Sequence, residues 1–326
     1  MFTLRGIAVS LTFFVLLYCL LSALVAAAWR LLMVLRATER SRVGLLFALR
    51  VLPLVASAVI TFAFVVPSFQ LLEPRSTDEG MGAIPLALAV CALALIACGC
   101  FRVVTAQTKT SRVVGRWLEG ADQLDVNATA EHQADDQAKN ITFRARAFRA
   151  RAAAPPLTLV GVRTPRVLVS ESAIALLSHD ELRIALEHEL AHMRSGDNLK
   201  KLVFRFCPFP CMDKLESAWS QTAELAADDA AVSSVADALN LAAALVKLSR
   251  LVPVEAGPVC TVGFVTGSIG ARVERLLAWG EAGKSQPMHI CRWYAIPPAL
   301  VGLLCVLATY GSALTLTHEV TEWLVR

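Results

Sequence analysis

Four apolar stretches, at residues 7–29, 51–72, 83–101 and 294–317, constrain this chain more than any other feature. A bilayer's hydrocarbon core is about 30 Å thick and takes about 20 helical residues to cross. In lipid, the backbone must satisfy its own polar groups, so stretches of this length predict transmembrane helices. The composition agrees: 56 % of the 326 residues are hydrophobic and the mean hydropathy is +0.57. The second stretch carries Pro53 and Pro67, which predicts a kink. The first is too long for a cleavable signal core and runs into a basic segment, so it is expected to be an anchor.

The cations set the orientation. Arg30, Arg36, Arg40, Arg42 and Arg50 crowd the first connection, and Arg102, Lys109, Arg112 and Arg116 follow the third stretch. The connection from Glu73 to Glu79 is net acidic. The positive-inside rule then places the central part in the cytoplasm and both termini outside, in a multi-pass protein of the inner (plasma) membrane. The net charge of +4 reflects these flanks, and no basic patch with interleaved aromatics points to a direct nucleic-acid partner. Of nine cysteines, Cys19, Cys91, Cys98, Cys100 and Cys305 fall in the apolar stretches and are expected as small buried apolar residues. Cys207 and Cys211 flank Pro-Phe-Pro in an apolar patch, 202–212, expected to lie against the bilayer as an interfacial or re-entrant segment.

The resulting organisation is a three-helix membrane region at 1–102, a basic juxtamembrane segment and linker with a candidate strand at 103–156, a catalytic-type domain at 157–290, and a fourth membrane helix with a short tail at 291–326. Residues 105–140 lack strong periodicity and are expected to be linker. Runs 141–148, 157–162 and 166–170 are strand-like, and one of them is the candidate edge for pairing with an extended peptide.

The chemistry concentrates in His188-Glu189-Leu190-Ala191-His192. Ser178 with Glu181 forms a capping box and Gly196 closes the last turn, so a helix is expected over 179–195. Residues four apart share a helix face, so His188 and His192 can both offer imidazole nitrogens to one metal ion. Glu189 lies slightly off that line, in the position of a general base. A catalytic zinc site uses three protein ligands and keeps one position open. Glu224-Leu225-Ala226-Ala227-Asp228, on a second expected helix over 220–235, offers Glu224 as the third ligand. Asp228, on the same face, is placed to accept the free ring N–H of a ligating histidine. His179 points into solvent by period and is no ligand. Later helices over 236–251 and 270–280 read as packing elements, with Arg272 and Arg275 on a polar face. An oxyanion donor could come from Arg272 or His289, and neither is singled out.

These motifs, together with Pro165-Arg166-Val167-Leu168-Val169-Ser170, Leu177-Ser178-His179-Asp180-Glu181-Leu182, Gly196-Asp197-Asn198-Leu199 and the continuation Asp229-Ala230, resemble the membrane-bound gluzincins. The nearest likeness is to the BlaR/MecR family of antibiotic-sensing signal-transducer metallopeptidases. It covers roughly 150–235 at motif level and the rest by topology. The resemblance implies a mainly α membrane protein, with four transmembrane helices and a cytoplasmic α+β gluzincin-type zinc metallopeptidase domain. It implies Zn2+ on His188, His192 and Glu224, Glu189 as catalytic base and Asp228 behind the ligands. It further implies endopeptidase action on a protein or peptide substrate at the cytoplasmic membrane face, in repressor or self cleavage. The implied partners are the lipid bilayer and a transcriptional repressor or a separate sensor protein. One departure is that the sequence ends at Arg326 without the penicillin-binding sensor of the β-lactam-sensing members, so antibiotic binding is not implied. HtpX- or CAAX-type processing proteases share the zinc motifs and remain an alternative, as does a non-enzymatic transducer with a degenerate site. A site-2-type intramembrane protease is disfavoured because Glu181, Arg183, Glu187, Arg194 and Asp197 make the zinc helix too polar for a bilayer.

Overall fold

A computed structural model describes residues 2–32, 39–74, 82–119, 122–124, 147–150, 155–162, 164–251, 261–263, 269–279 and 296–325. Among the described residues, three helical segments are long and apolar enough to cross a membrane. The first is α1 (Phe2–Leu32). The second runs through α2 (Glu39–Ile60), a π-helical turn (Thr61–Val65) and α3 (Val66–Leu72). The third is α4 (Ala83–Leu118). Pro67 explains the π turn. Lacking an N–H, it cannot bond the carbonyl four residues back, which is that of Ala63. Tyr310 donates its hydroxyl to the Ala63 carbonyl at 2.7 Å, satisfying the freed group from another helix. Tyr310 sits on α11 (Ile296–Val325), the helix expected from the fourth apolar stretch.

The expected linker after residue 105 is replaced in part by helix. α4 continues unbroken to Leu118, with Ala106 and Thr110 buried. Two strand-length segments follow, β1 (Asp122–Leu124) and β2 (Ala147–Ala150). Then come β3 (Leu157–Val160), β4 (Arg166–Ser170) and α5 (Glu171–Leu176). β5 (Thr261–Gly263) completes a five-stranded sheet of order β1-β2-β4-β3-β5, in which only β2 and β4 pair in parallel. Among the described residues none of the three strand-like runs lies at an edge: β1 and β5, too short to show alternation in the sequence, flank them. Of the run 141–148, residues 141–146 lie outside the described residues. In the β3–β4 turn, Gly161 has φ +88°, and a Cβ there would meet the Thr164 carbonyl oxygen at 2.8 Å.

The helix expected over 179–195 is α6 (His179–Ser195), with both halves of the Ser178/Glu181 capping box formed and Gly196 in the left-handed conformation at its end. Gly196 also opens α7 (Asp197–Phe206). Next are α8 (Asp213–Ala231), α9 (Val235–Ser249) and α10 (Ile269–Leu277). α8 starts two turns before the expected residue 220, because Leu215 and Trp219 extend its buried face.

Two apolar cores organise these elements. One joins β3 and β4 to α5, α6, α9 and α10 through Leu159, Val167, Ile184, Leu241, Leu245 and Leu276. The other joins the ends of α1 and α2 to α7 and α8 through Trp29, Leu46, Phe204, Leu215 and Trp219. The patch at 202–212 enters this second core and contacts helices directly. Tyr18 donates to the Pro208 carbonyl at 3.0 Å, and a Cβ on Gly99 would lie 2.5 Å from the Phe206 carbonyl oxygen. Arg50 is buried between α2 and this patch. It pairs with Glu216 at 2.9 Å and donates to the Cys207 carbonyl. Cys207 is buried, but Cys19, Cys91, Cys98 and Cys100 are exposed on the helix surfaces, contrary to expectation. In lipid an outward face is as apolar as an inward one, so small apolar character does not tell which way a residue points. The side chain of Cys305 lies outside the described residues.

Candidate metal centre

α6 belongs to the first core and α8 to the second, and the candidate site is where they meet. His188 and His192 lie one turn apart on α6, with ring planes at 81° and Nε2 atoms 3.2 Å apart. Glu224, from the middle of α8, brings Oε2 to 3.5 Å from His188 Nε2 and Oε1 to 3.7 Å from His192 Nε2. All three side chains are buried. Zinc–ligand bonds of about 2.0–2.1 Å in a tetrahedron give ligand–ligand edges of about 3.3–3.4 Å, so these spacings suit three corners around one ion. The three residues could hold a metal ion.

The outward-facing ring nitrogens are held by carboxylates. His188 Nδ1 lies 2.9 Å from Asp228 Oδ1, as the i+4 spacing from Glu224 leads one to expect. His192 Nδ1 lies 2.7 Å from Asp197 Oδ2, a partner that the reading of spacing did not assign. Gly196 turns the chain so tightly that Asp197, the first residue of α7, swings back beneath His192; an acid directly after a C-cap glycine was the available signal. Such carboxylates fix the tautomer that leaves Nε2 free to ligate. Lys200 anchors the other Asp197 oxygen at 2.9 Å.

Arg272 was expected on a polar face of a packing helix, and it is buried instead. Its Nε and Nη2 donate to the two Asp228 oxygens at 2.8 and 2.6 Å, and Nη1 donates to Glu224 Oε2 at 2.9 Å. This fork ties α10 to α8 and commits the guanidinium to the site's carboxylates. Arg275 is the surface counterpart, with Asp229 at 2.6 Å. His289 lies outside the described residues. His179 is exposed, as expected.

Electrostatics favour a cation at the centre. Asp197, Glu224, Asp228 and, when ionised, Glu189 are buried around the imidazoles and face Arg272 and the partly exposed Lys200, so the carboxylates outnumber the cations. A divalent ion would offset the excess. Burial disfavours the charged form of His192, yet Glu224 and Asp197 outweigh it and push the ring up to about 10. Glu224 is buried too, and His192 with His188 and Arg272 holds its carboxyl well below the usual range. Glu189 goes the other way. Burial pushes its carboxyl up to about 7 against the opposing field of His192 and His188. Both Glu189 oxygens are buried without a hydrogen-bond partner, beside the ligand imidazoles and near the backbone of Leu159. An orphaned carboxyl in such a place suits a group that exchanges protons with a transient partner.

β3 is fastened to the same corner. Asn198 Nδ2 donates to the carbonyls of Leu159 and Gly161 at 3.2 and 2.9 Å, joining the strand to the start of α7. A scan against protein-family models and a search of curated proteins found no match to this chain, so a functional reading of the site rests on its geometry.

Proposed function

We propose that this chain is an integral-membrane zinc endopeptidase that hydrolyses peptide bonds of a protein substrate at the cytoplasmic membrane face, in a signalling role like that of the BlaR/MecR transducers it resembles. The observation that carries the reading is the convergence of His188 Nε2, His192 Nε2 and a Glu224 carboxylate around one point, with the orphaned Glu189 carboxyl beside them. His188, His192 and Glu224 would hold the zinc, with Asp228 and Asp197 orienting the two imidazoles. A bound zinc ion supplies Lewis acidity to water and to the scissile carbonyl.

The remaining steps belong to the chain. Glu189 takes a proton from the attacking water on a carboxylate oxygen and delivers it to the departing amine nitrogen. Burial raises its carboxyl pKa, the direction that suits a group which first takes and then gives a proton. Arg272 positions Glu224 and Asp228, so their charge stays on the ligand side of the site. In this reading α11 is the fourth span, and the cation-rich connection between α1 and α2 puts the centre on the cytoplasmic side. The signalling role is supported by the way α8 rests on α1 and α2: a shift of those helices bears directly on the element carrying Glu224.

Glu189→Gln in purified full-length protein should keep stoichiometric zinc and lose cleavage of itself or of a casein-type test substrate by about 10²–10⁴-fold, the usual worth of a positioned acid–base group. Unchanged cleavage refutes the assignment. Zinc bound but no cleavage by the wild type under any condition favours a non-enzymatic transducer.

A further inference from the structure

The opposite ends of the membrane helices hold a second set of ligating side chains. Glu73 follows α3, and His318 and Glu322 stand one turn apart on α11; each offers a ligand atom within 4.8 Å of the others'. His318 Nδ1 lies 3.8 Å from Glu73 Oε2, and its Nε2 lies 3.6 Å from Glu322 Oε1. Both separations are too long for hydrogen bonds.

The molecule supplies its own scale for such pairs. Its close histidine–carboxylate pairs, His192–Asp197 and His188–Asp228, sit at 2.7 and 2.9 Å. The pairs that converge on the candidate metal centre, His188–Glu224 and His192–Glu224, sit at 3.5 and 3.7 Å. His318 falls with the second group. Its Nδ1 is buried and has no hydrogen-bond partner, although a carboxylate stands in front of it. Glu73 is anchored as Glu224 is: Arg5 reaches its Oε1 at 3.3 Å, leaving Oε2 toward the imidazole, and only 9 % of its side chain is exposed.

We propose that Glu73, His318 and Glu322 form a second metal site, for a zinc-class divalent transition metal, at the end of the helices remote from the His188 centre. One imidazole and two carboxylates make a mixed nitrogen–oxygen donor set, which suits zinc better than calcium or magnesium, whose sites are built from oxygen. The ion takes one nitrogen of the His318 ring. Glu322, four residues on along the same face and 44 % exposed, closes on it by side-chain rotation, and water completes the coordination. Occupancy ties α11 to α3 and, through Arg5, to α1. In the proposed orientation this end faces outward, so the site makes external zinc-class metal an input to the helices on which α8 rests.

The test titrates zinc into the full-length chain in lipid nanodiscs and counts bound metal for the wild type, His318→Ala, His192→Ala and the double variant. Two zinc ions per chain are expected for the wild type, one for each single variant and none for the double. His318→Ala should weaken the second site by more than about 100-fold, beyond the usual cost of losing a merely supporting group. In the His192→Ala background, zinc should still raise the thermal midpoint, calcium and magnesium should not, and adding His318→Ala should abolish the rise. Should His318→Ala fail to fold, Glu322→Gln at its half-exposed position serves instead, with at least about a 10-fold loss expected. Equal zinc content in wild type and His318→Ala, or no zinc-dependent stabilisation in the His192→Ala background, overturns the site. Neither result bears on the His188–His192–Glu224 centre, whose loss is read separately in the His192→Ala arm.

Discussion

Replacing Arg272 by Gln removes the cation that faces two buried carboxylates. Its side chain is 4 % exposed, and those of Glu224 and Asp228 are 3 % and 1 % exposed. Solvent therefore screens little, and three charge-assisted hydrogen bonds disappear together. Breaking a buried pair by removing one partner costs about 3–5 kcal/mol, because the other charge stays behind. For a domain of 150–250 residues each kcal/mol moves the midpoint by about 2–4 °C, so a fall of roughly 6–20 °C is expected. The assay is thermal unfolding of detergent-solubilised full-length protein followed by tryptophan fluorescence, since Trp219 is buried in the neighbouring core. The deficit should widen when zinc is present, because an ion that binds the variant more weakly stabilises it less than the wild type. Zinc affinity should also drop by about 10- to 100-fold as Glu224 and Asp228 lose their anchor. A metal-free midpoint within about 2 °C of wild type, the equivalent of under 1 kcal/mol, would refute the claim that Arg272 balances this site.

Three further outcomes follow from the same geometry. Asp197→Asn keeps the shape but loses the charge behind His192, and zinc affinity measured by competition with a chelator should fall about 10- to 100-fold; an unchanged affinity removes Asp197 from the site. Gly99→Val drives a side chain into the Phe206 carbonyl and should destabilise the full-length protein by about 1–3 kcal/mol in denaturant unfolding, whereas Gly115→Val, where a Cβ meets nothing within 4 Å, should cost less; equal effects contradict the close crossing of α4 and α7. Asp237 is held at about 2 against an ordinary 3.8: burial opposes its charge, and Ser233 and Arg183 overcome that. A carboxyl depressed on folding stabilises above its unfolded pKa and loses that contribution as pH falls through the folded one. The difference in midpoint between wild type and Asp237→Asn should thus be full at pH 6 and shrink below about pH 4; a difference constant down to pH 3 would count against it.

Much of α6 is legible in the sequence. Its capping box, the C-cap glycine and the four-residue spacing of its histidines are local signals, and the helix begins and ends where they place it. That Asp228 shares a face with Glu224 follows equally from spacing along α8, whereas the histidine it meets, His188, does not. Asp197 and Arg272 were not legible in the same way. One acts across a helix break and the other arrives from α10, 44 residues beyond Asp228, and no periodicity connects a buried arginine to carboxylates at that separation. The end of α4 is not legible as helix in the sequence, because its buried face is made of Ala106 and Thr110, which carry little hydrophobic signal.

The chain's own residue order settled what depends on neighbours within one or two helical turns: which segments are helices apolar enough to enter lipid, where α6 starts and stops, and that His188 and His192 share a face. Tertiary structure alone decided that Glu224 meets those imidazoles, that Arg272 and Asp197 support them, that β1 and β5 form the sheet edges, and that His318 stands between Glu73 and Glu322. These are contacts between segments distant along the backbone. They are chosen by which apolar faces bury together and by which buried charges must then be balanced, and that choice belongs to the folded molecule as a whole.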